Sequence, residues 1–449
     1  MTRIFGHFIA LEMLGLWLVE FVPCMLALYI FLLPGGGSGW ADVDALGHAT
    51  TLALAISAVW VAVGLYQPEV CQENWRLFLG SAVGGLLTLP AVVAMDYLLR
   101  LNVTGVLGAS AMRPVQFVLT WIAFLFATRF LFRLALRLDM FARRVVIVGT
   151  PADAAETRAA IARVRTGFFR VVGVAAPDDA ASLAPVALRG QGVWAVLVTE
   201  RCRGQVPGDV LMRSKSAGMH VYSDVEFREQ QLRRIDLTHL APDWLLYAPG
   251  LTRRPAEEIF GRALDIVIAL GLLVFCAPVM LLAMLAIRLD SPGALLYRQE
   301  RVGLHGRVFT LYKFRSMRSD AEAAGPAWAV RGDARVTRVG NFLRRSRIDE
   351  LPQLLNVLRG EMAMVGPRPE RPHFVEQLGR AIPFYGDRAA VRPGITGWAQ
   401  VNYPYGASIE DARHKLSFDL YYIKRRSLFL DLVILFATVR VVLFQEGAR

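Results

Sequence analysis

Asp349 and Glu350 stand directly behind six arginines, Arg331, Arg335, Arg338, Arg344, Arg345 and Arg347. Carboxylates beside arginines can hold a hard divalent cation against a pyrophosphate, and a carboxylate can itself attack phosphorus to give a covalent intermediate. A plainer role is also open, because acids in the first turn of a helix stabilise it by a few tenths of a kcal/mol to about 1 kcal/mol. Two rigid loops follow, Gly366-Pro-Arg-Pro-Glu370 and Arg392-Pro-Gly-Ile-Thr-Gly-Trp398. Their prolines, Pro367 and Pro369 among them, fix φ, and the planar forks of Arg368 and Arg392 suit a nucleotide diphosphate. Upstream, the run 308–317 alternates like a strand and places Lys313 and Arg315 on one face.

The pattern around the acidic pair predicts a helix over residues 346–358. Leu351, Leu354, Leu355 and Leu358 share one face, Ser346 or Asp349 can cap its start, and Pro352 is tolerated in the first turn. Before the cluster lies an apolar run at 263–287, long enough to cross a membrane, with arginines on both flanks: Arg253, Arg254 and Arg262 before it, Arg288, Arg298 and Arg301 after. The charge rule therefore gives it no direction. Pro278 near its middle removes a helix hydrogen bond. A helix that enters, bends at Pro278 and returns to the same face satisfies both observations.

The first half of the chain is predicted to be a membrane anchor over residues 1–142, with apolar stretches at 8–33, 49–65, 77–99 and 115–136. Glu12 and Glu20 in the first stretch are expected to face other helices. The loop 34–47 has no lysine or arginine, whereas the end of the fourth stretch carries Arg129, Arg133, Arg137, Arg143 and Arg144 and is placed in the cytoplasm. Residues 143–225 alternate β-branched runs with helix-length stretches, the rhythm of a parallel Rossmann-like sheet. Of the dinucleotide fingerprint Gly-x-Gly-x-x-Gly only Gly149 is present, so no tightly bound dinucleotide is expected. Residues 226–255 read as a linker. The last apolar run, 428–444, is interrupted by Asp431 and Arg440 and is expected to lie on a membrane surface.

Composition agrees with a membrane protein. The chain has 449 residues, 55% of them hydrophobic, and a mean hydropathy of +0.40. Its net charge of +12 comes almost wholly from arginine, since only Lys215, Lys313, Lys415 and Lys424 are lysines. No nucleic-acid partner is expected from it. The four dispersed cysteines and seven histidines suggest neither a disulfide framework nor a zinc site.

In order, Arg262 to Asp265, Pro278, Lys313-Phe-Arg-Ser-Met317, Ile348-Asp-Glu-Leu-Pro-Gln-Leu-Leu-Asn-Val-Leu358, Gly366-Pro-Arg-Pro369 and Arg392-Pro-Gly-Ile-Thr-Gly-Trp398 resemble the bacterial sugar transferases that prime glycan synthesis, the polyprenyl-phosphate hexose-1-phosphate transferases. The likeness is close from Pro255 onward and architectural before it. It implies a membrane protein with an N-terminal four-helix transmembrane bundle, a Rossmann-like α/β domain, and a C-terminal α/β catalytic domain (256–449) with a re-entrant membrane helix hairpin. It implies transfer of a sugar-1-phosphate from a UDP-sugar to polyprenyl (undecaprenyl) phosphate with release of UMP, as the first membrane step of exopolysaccharide or other glycan synthesis. Asp349 would be the phospho-sugar acceptor, Glu350 a metal ligand or base, and Mg²⁺ the cofactor, held by Asp349 and Glu350. Lys313, Arg315, Arg344, Arg345, Arg347, Arg368 and Arg392 would hold phosphates. The resemblance also suggests a homodimer in the bacterial inner membrane, with its catalytic domain facing the cytoplasm. Where family members often have serine before the bend proline, this chain has Cys276-Ala277. A membrane-bound nucleotide-sugar dehydratase or epimerase is a weaker alternative, since none of the twelve tyrosines has lysine four residues on. A non-catalytic polysaccharide-export scaffold would leave the Asp349-Glu350 constellation without purpose.

Overall fold

The computed structural model describes residues 2–4, 7–9, 11–32, 43–66, 74–99, 112–163, 168–179, 185–238, 240, 242–252, 255–318, 335–403, 406, 408 and 409–443. Arg253, Arg254 and Arg331 of the predicted clusters lie outside them. The chain divides into two compact units, Met1–Leu232 and Arg233–Arg449.

In the first unit four apolar helices, α1 (Leu11–Leu32), α2 (Val43–Val63), α3 (Asn74–Leu99) and α4 (Met112–Arg137), pack consecutively on one another. Together with Pro255–Asp290 of the second unit, they are the helices among the described residues that are long and apolar enough to cross a membrane. Glu20 of α1 is fully buried and does face its neighbours: its carboxylate meets Arg129 Nη1 of α4 at 2.5 Å and accepts from Thr128 Oγ1 at 2.6 Å and Tyr66 OH at 2.8 Å. Arg129 is thus an interior partner and not a free topology charge. Arg143 is likewise matched, 2.5 Å from Glu12. The positive-inside argument rests on Arg133, Arg137 and Arg144.

Four parallel strands follow, in spatial order Phe169–Ala175, Arg143–Val148, Val193–Val198, His220–Ser223. This is the expected parallel rhythm, with helices in the crossovers. The lone fingerprint glycine has a packing role. A Cβ on Gly149 would lie 2.4 Å from Thr199 Oγ1, so the ends of two adjacent strands can close only over glycine. Asp153 sits in the first turn of the next helix, Pro151–Arg163, paired with Arg201 at 3.0 Å. An internal carboxylate therefore occupies the helix end that a pyrophosphate would seek.

The boundary between the two units falls inside the predicted linker 226–255, and most of its described residues belong to helices or pack into a core. Its first part belongs to helix Asp224–Leu232, with Phe227 and Leu232 buried. Its remainder packs into the second unit: Ile235, Trp244 and Ala248 join that core, and Trp244 Nε1 donates to Asp387 Oδ2 at 2.8 Å. Charge and proline masked three apolar anchors.

In the second unit the helix Pro255–Asp290 runs for 36 residues with Pro278 inside it. The antiparallel strands Leu296–Val302 and Val308–Phe314 follow, then helix Arg338–Arg345. A 3₁₀ turn, Ile348–Gln353, leads into helix Leu354–Arg359. Strand Ala363–Val365 pairs in parallel with Gly394–Thr396. Helices Pro372–Ala381, Ile409–Arg425 and Leu428–Leu443 complete the unit. The last is 16 residues long, about 24 Å, which is short of the ~30 Å hydrocarbon core. It buries Leu430 and Ile434 in the core and exposes Leu432, Phe436 and Val439 on the opposite side.

Candidate active site

The helix expected over 346–358 is broken where the acidic pair begins. Ser346 ends the preceding helix, its hydroxyl donating back to Phe342 O at 2.8 Å, so it does not cap the turn that carries the acids. Arg347 then adopts φ 59°, a left-handed conformation in a residue with a Cβ. Such geometry costs energy and persists only where surrounding structure enforces it. The reversal turns Asp349 and Glu350 inward, to 6% and 8% exposure.

Glu350 Oε1 gathers three cations from three elements. Arg368 Nη2 lies at 2.6 Å, Lys313 Nζ at 3.0 Å and Arg347 Nη1 at 3.8 Å. Asp349 is its opposite: Oδ1 is buried with no hydrogen-bond partner. This contrast sets the electrostatics. Burial pushes the Asp349 carboxyl up, the Glu350 charge adds to this, and Lys313, Arg347 and Arg368 only partly compensate, leaving it at about 6. Burial acts on Glu350 too, but Arg368, Lys313 and Arg347 outweigh it and hold that carboxyl well below the usual range. Burial also lowers the Lys313 ammonium, against the pull of Glu350. Two adjacent carboxylates are thus driven apart, one a fixed anion and one poised near neutrality, which is how acid and base roles are assigned within a pair.

The other predicted residues are distributed differently. Arg315 turns away from the pair. Its guanidinium donates to Ser291 O at 2.6 Å and Pro292 O at 2.9 Å, closing the C-terminal end of the long helix. Arg344 and Arg345, in the last turn of their helix, make no ion pair with Asp349 or Glu350. Arg392 lines a cavity at the start of the long helix with Arg262, Asp265, Arg426 and Asp431, whose walls include neither acid of the pair. Pro278 lies within the long helix, on its apolar exposed stretch. Pro367 and Pro369 flank Arg368 and leave the loop two N–H groups short. The two proline loops are one structure: a Cβ on Gly366 would stand 2.3 Å from Arg392 O, so these backbones touch only because position 366 is glycine.

Sequence reasoning missed Arg301, Tyr385, Arg388 and Asp419, which hold the Arg368 loop from behind. Among the described residues no group of three or more His, Cys, Asp or Glu could hold a metal. The unpartnered Asp349 Oδ1 nonetheless fits Mg²⁺, which is often bound by one or two carboxylates plus substrate phosphates and water. Glu350, engaged by cations through Oε1, fits less well.

The family model described as "Bacterial sugar transferase" matches residues 256–445. The chain is 44% identical over 239 residues to a UDP-N-acetylgalactosamine-undecaprenyl-phosphate N-acetylgalactosaminephosphotransferase of Aeromonas hydrophila, covering 53% of this chain and 56% of that protein. It is 36% identical over 323 residues to an undecaprenyl-phosphate glucose phosphotransferase of Komagataeibacter xylinus, covering 68% and 60%. To a UDP-glucose:undecaprenyl-phosphate glucose-1-phosphate transferase of Caulobacter vibrioides it is 46% identical over 201 residues, 44% of this chain and 75% of that protein. The first two alignments thus span somewhat over half of each relative's length. With three quarters of the third relative matched, and the Asp-Glu pair, Lys313 and the Pro-Arg-Pro loop converging inside the matched region, this chain belongs to the bacterial sugar transferase family.

Proposed function

We propose that the chain transfers a sugar-1-phosphate from a UDP-sugar to polyprenyl phosphate, releasing UMP, at the cytoplasmic face of a bacterial inner membrane. The observation that carries the reading is Asp349: a buried carboxylate with an unpartnered oxygen, beside three cations, in a chain of this family. A carboxylate oxygen of Asp349 attacks the β-phosphorus, the bond to the UMP oxygen breaks, and UMP leaves with the electron pair. The lipid phosphate oxygen then attacks the same phosphorus and Asp349 departs as free carboxylate. Lys313, Arg347 and Arg368 stabilise charge on the equatorial oxygens, and most of the rate in such transfers comes from placement and charge stabilisation. Glu350 keeps those cations in place. Mg²⁺, which Asp349 would hold, would supply charge neutralisation at the donor's diphosphate.

The test is UMP release by the full chain in detergent or nanodiscs, offered UDP-glucose, UDP-GlcNAc or UDP-GalNAc with and without polyprenyl phosphate. Sustained turnover that depends on the lipid is expected. A chain that releases UMP from none of these donors overturns the reading. With only oxygen ligands in view, turnover should also require Mg²⁺ or Mn²⁺ and vanish with a chelator. Full activity in excess EDTA would remove the metal from the mechanism.

The four apolar helices of the first unit form the membrane bundle in this reading, and the long helix Pro255–Asp290 enters and leaves on the cytoplasmic side. What supports the second point is that both ends of that helix are tied to one body. Near its start Arg262 Nη2 donates to Leu358 O at 3.1 Å and Asp265 accepts from Met364 N at 2.9 Å. Near its end Ala283 and Ile287 pack with Phe314 and Leu343. Between them Val274, Phe275, Leu281 and Leu282 are exposed and apolar, around Pro278. A full crossing would need its two ends on opposite sides of ~30 Å of hydrocarbon. Single cysteines at the exposed positions Ala294 and Met212, in a chain whose four native cysteines are replaced, should both resist an impermeant thiol reagent in intact cells and react after permeabilisation. Labelling of position 294 alone from outside would make the segment a true span.

A further inference from the structure

The loop Pro367–Glu370 projects Arg368 at Glu350, yet it has no regular secondary structure and two of its residues lack an N–H. Its rigidity comes from its carbonyls. Pro367 O accepts from Gly394 N at 3.0 Å, Arg368 O from Arg388 Nη2 at 3.0 Å, Pro369 O from Arg301 Nη1 at 3.0 Å and Glu370 O from Val302 N at 2.9 Å. Two of the four donors are side-chain guanidiniums reaching in from elsewhere. Arg388 is the better braced: Nε donates to Asp419 Oδ2 at 2.8 Å and Nη1 to Tyr385 OH at 2.8 Å. Asp419, 2% exposed, comes from helix Ile409–Arg425, and Arg388 from the turn Tyr385–Ala390.

We propose that Arg388 is a positioning residue for the phosphoryl transfer: anchored by Asp419, it fixes the backbone of Arg368 and so sets where the Arg368 guanidinium meets Glu350 and the substrate phosphate. The inference rests on the function proposed above and deepens it. Three points carry it. The planar fork of Arg388 reaches three acceptors on three segments from three separate nitrogens, a fixed spread that the single nitrogen of an ammonium does not reproduce. Asp419 is buried, and among the described residues its ion pair is with Arg388 and not with Glu350 or Asp349, so the link from this pair to the site runs through the hydrogen bond to the carbonyl of Arg368. Phosphoryl transfer depends on positioning, and a displacement of about 1 Å can cost on the order of 10²-fold in rate. A buried ion pair is weak evidence for stability, and its placement against the catalytic loop gives it a purpose.

The experiment is a double-mutant cycle on the full chain, read in kcat, KM for the UDP-sugar and thermal midpoint. Replacing the pair together, Arg388→Met with Asp419→Leu, avoids leaving one charge buried alone. We expect kcat to fall about 10-fold or more with KM within about 3-fold, a loss consistent with displacement of a placed group. In an Arg368→Lys background the same replacement should add less than about 3-fold, because its effect runs through Arg368. Arg388→Lys, which keeps the charge and loses the fork, should behave like the pair replacement, and it carries the cycle if that replacement does not fold. Losses that multiply in the combined variant, or a lowered thermal midpoint with kcat intact, overturn the proposal. An active wild type with such variants sinks this inference alone, whereas a wild type without UMP release sinks it together with the function on which it rests.

Discussion

Asp349→Asn abolishes UMP release. The substitution keeps the size and shape of the side chain and removes the oxygen nucleophile, whose loss in a covalent mechanism costs on the order of 10⁴-fold or more. The amide also places a hydrogen-bond donor where Oδ1 now has no partner. Turnover in detergent with saturating donor and lipid phosphate measures it. Retention of more than about a tenth of the wild-type rate, a barrier change under ~1.4 kcal/mol, would end covalent catalysis through this residue.

Glu350→Gln lowers turnover by roughly 10²- to 10³-fold, the scale for losing one preorganised electrostatic contact, and moves the pH profile toward acid. The neighbours determine the sign. Asp349 must be ionised to attack, so the acid limb of kcat/KM, which reports the free enzyme, lies near its value of about 6. Burial is the main cause of that elevation and the charge of Glu350 adds to it, so removing the charge lets Asp349 ionise at lower pH. Lys313 is held lower than usual by burial and is supported by Glu350, so without that carboxylate it loses its proton at lower pH, and the alkaline limb moves the same way. A variant whose rate falls while the acid limb stays near 6 would instead assign Glu350 a direct proton-transfer role.

The apolar segments, the parallel strands and the acidic pair were legible because each announces itself over a short stretch: hydropathy over about 20 residues, β-branched runs of five or six, two adjacent acids behind arginines. The division of labour within the pair was not. It depends on Lys313 and Arg368, which lie 37 and 18 residues from Glu350 along the chain and converge on one oxygen. Arg315, two residues from Lys313, resembles it in type and alternation, yet its guanidinium serves the carbonyls after the long helix. Alternation predicts a face, and the strand ends at Phe314, one residue before the face would have delivered it. The break at Arg347 was equally hidden, since leucine spacing over 346–358 fits a continuous helix and a left-handed arginine leaves no compositional mark. Over 226–255 the hidden part was the packing: the unit boundary lies there and the charges are real, but Ile235, Trp244 and Ala248 decide where the stretch after it goes.

The ion pair between Glu20 and Arg129 sets an order of events during synthesis. The two residues are 109 positions apart, one on the first apolar helix and one on the fourth. At ~5–20 residues per second the ribosome takes roughly 5–20 s to deliver the partner, and throughout that interval a carboxylate sits in a helix bound for lipid, where a central charge costs about 2.5–3.5 kcal/mol or more. The first helix is therefore expected to be retained at the insertion machinery until the fourth arrives. A nascent chain stopped before residue 129 keeps that helix extractable by carbonate, and one released beyond it does not.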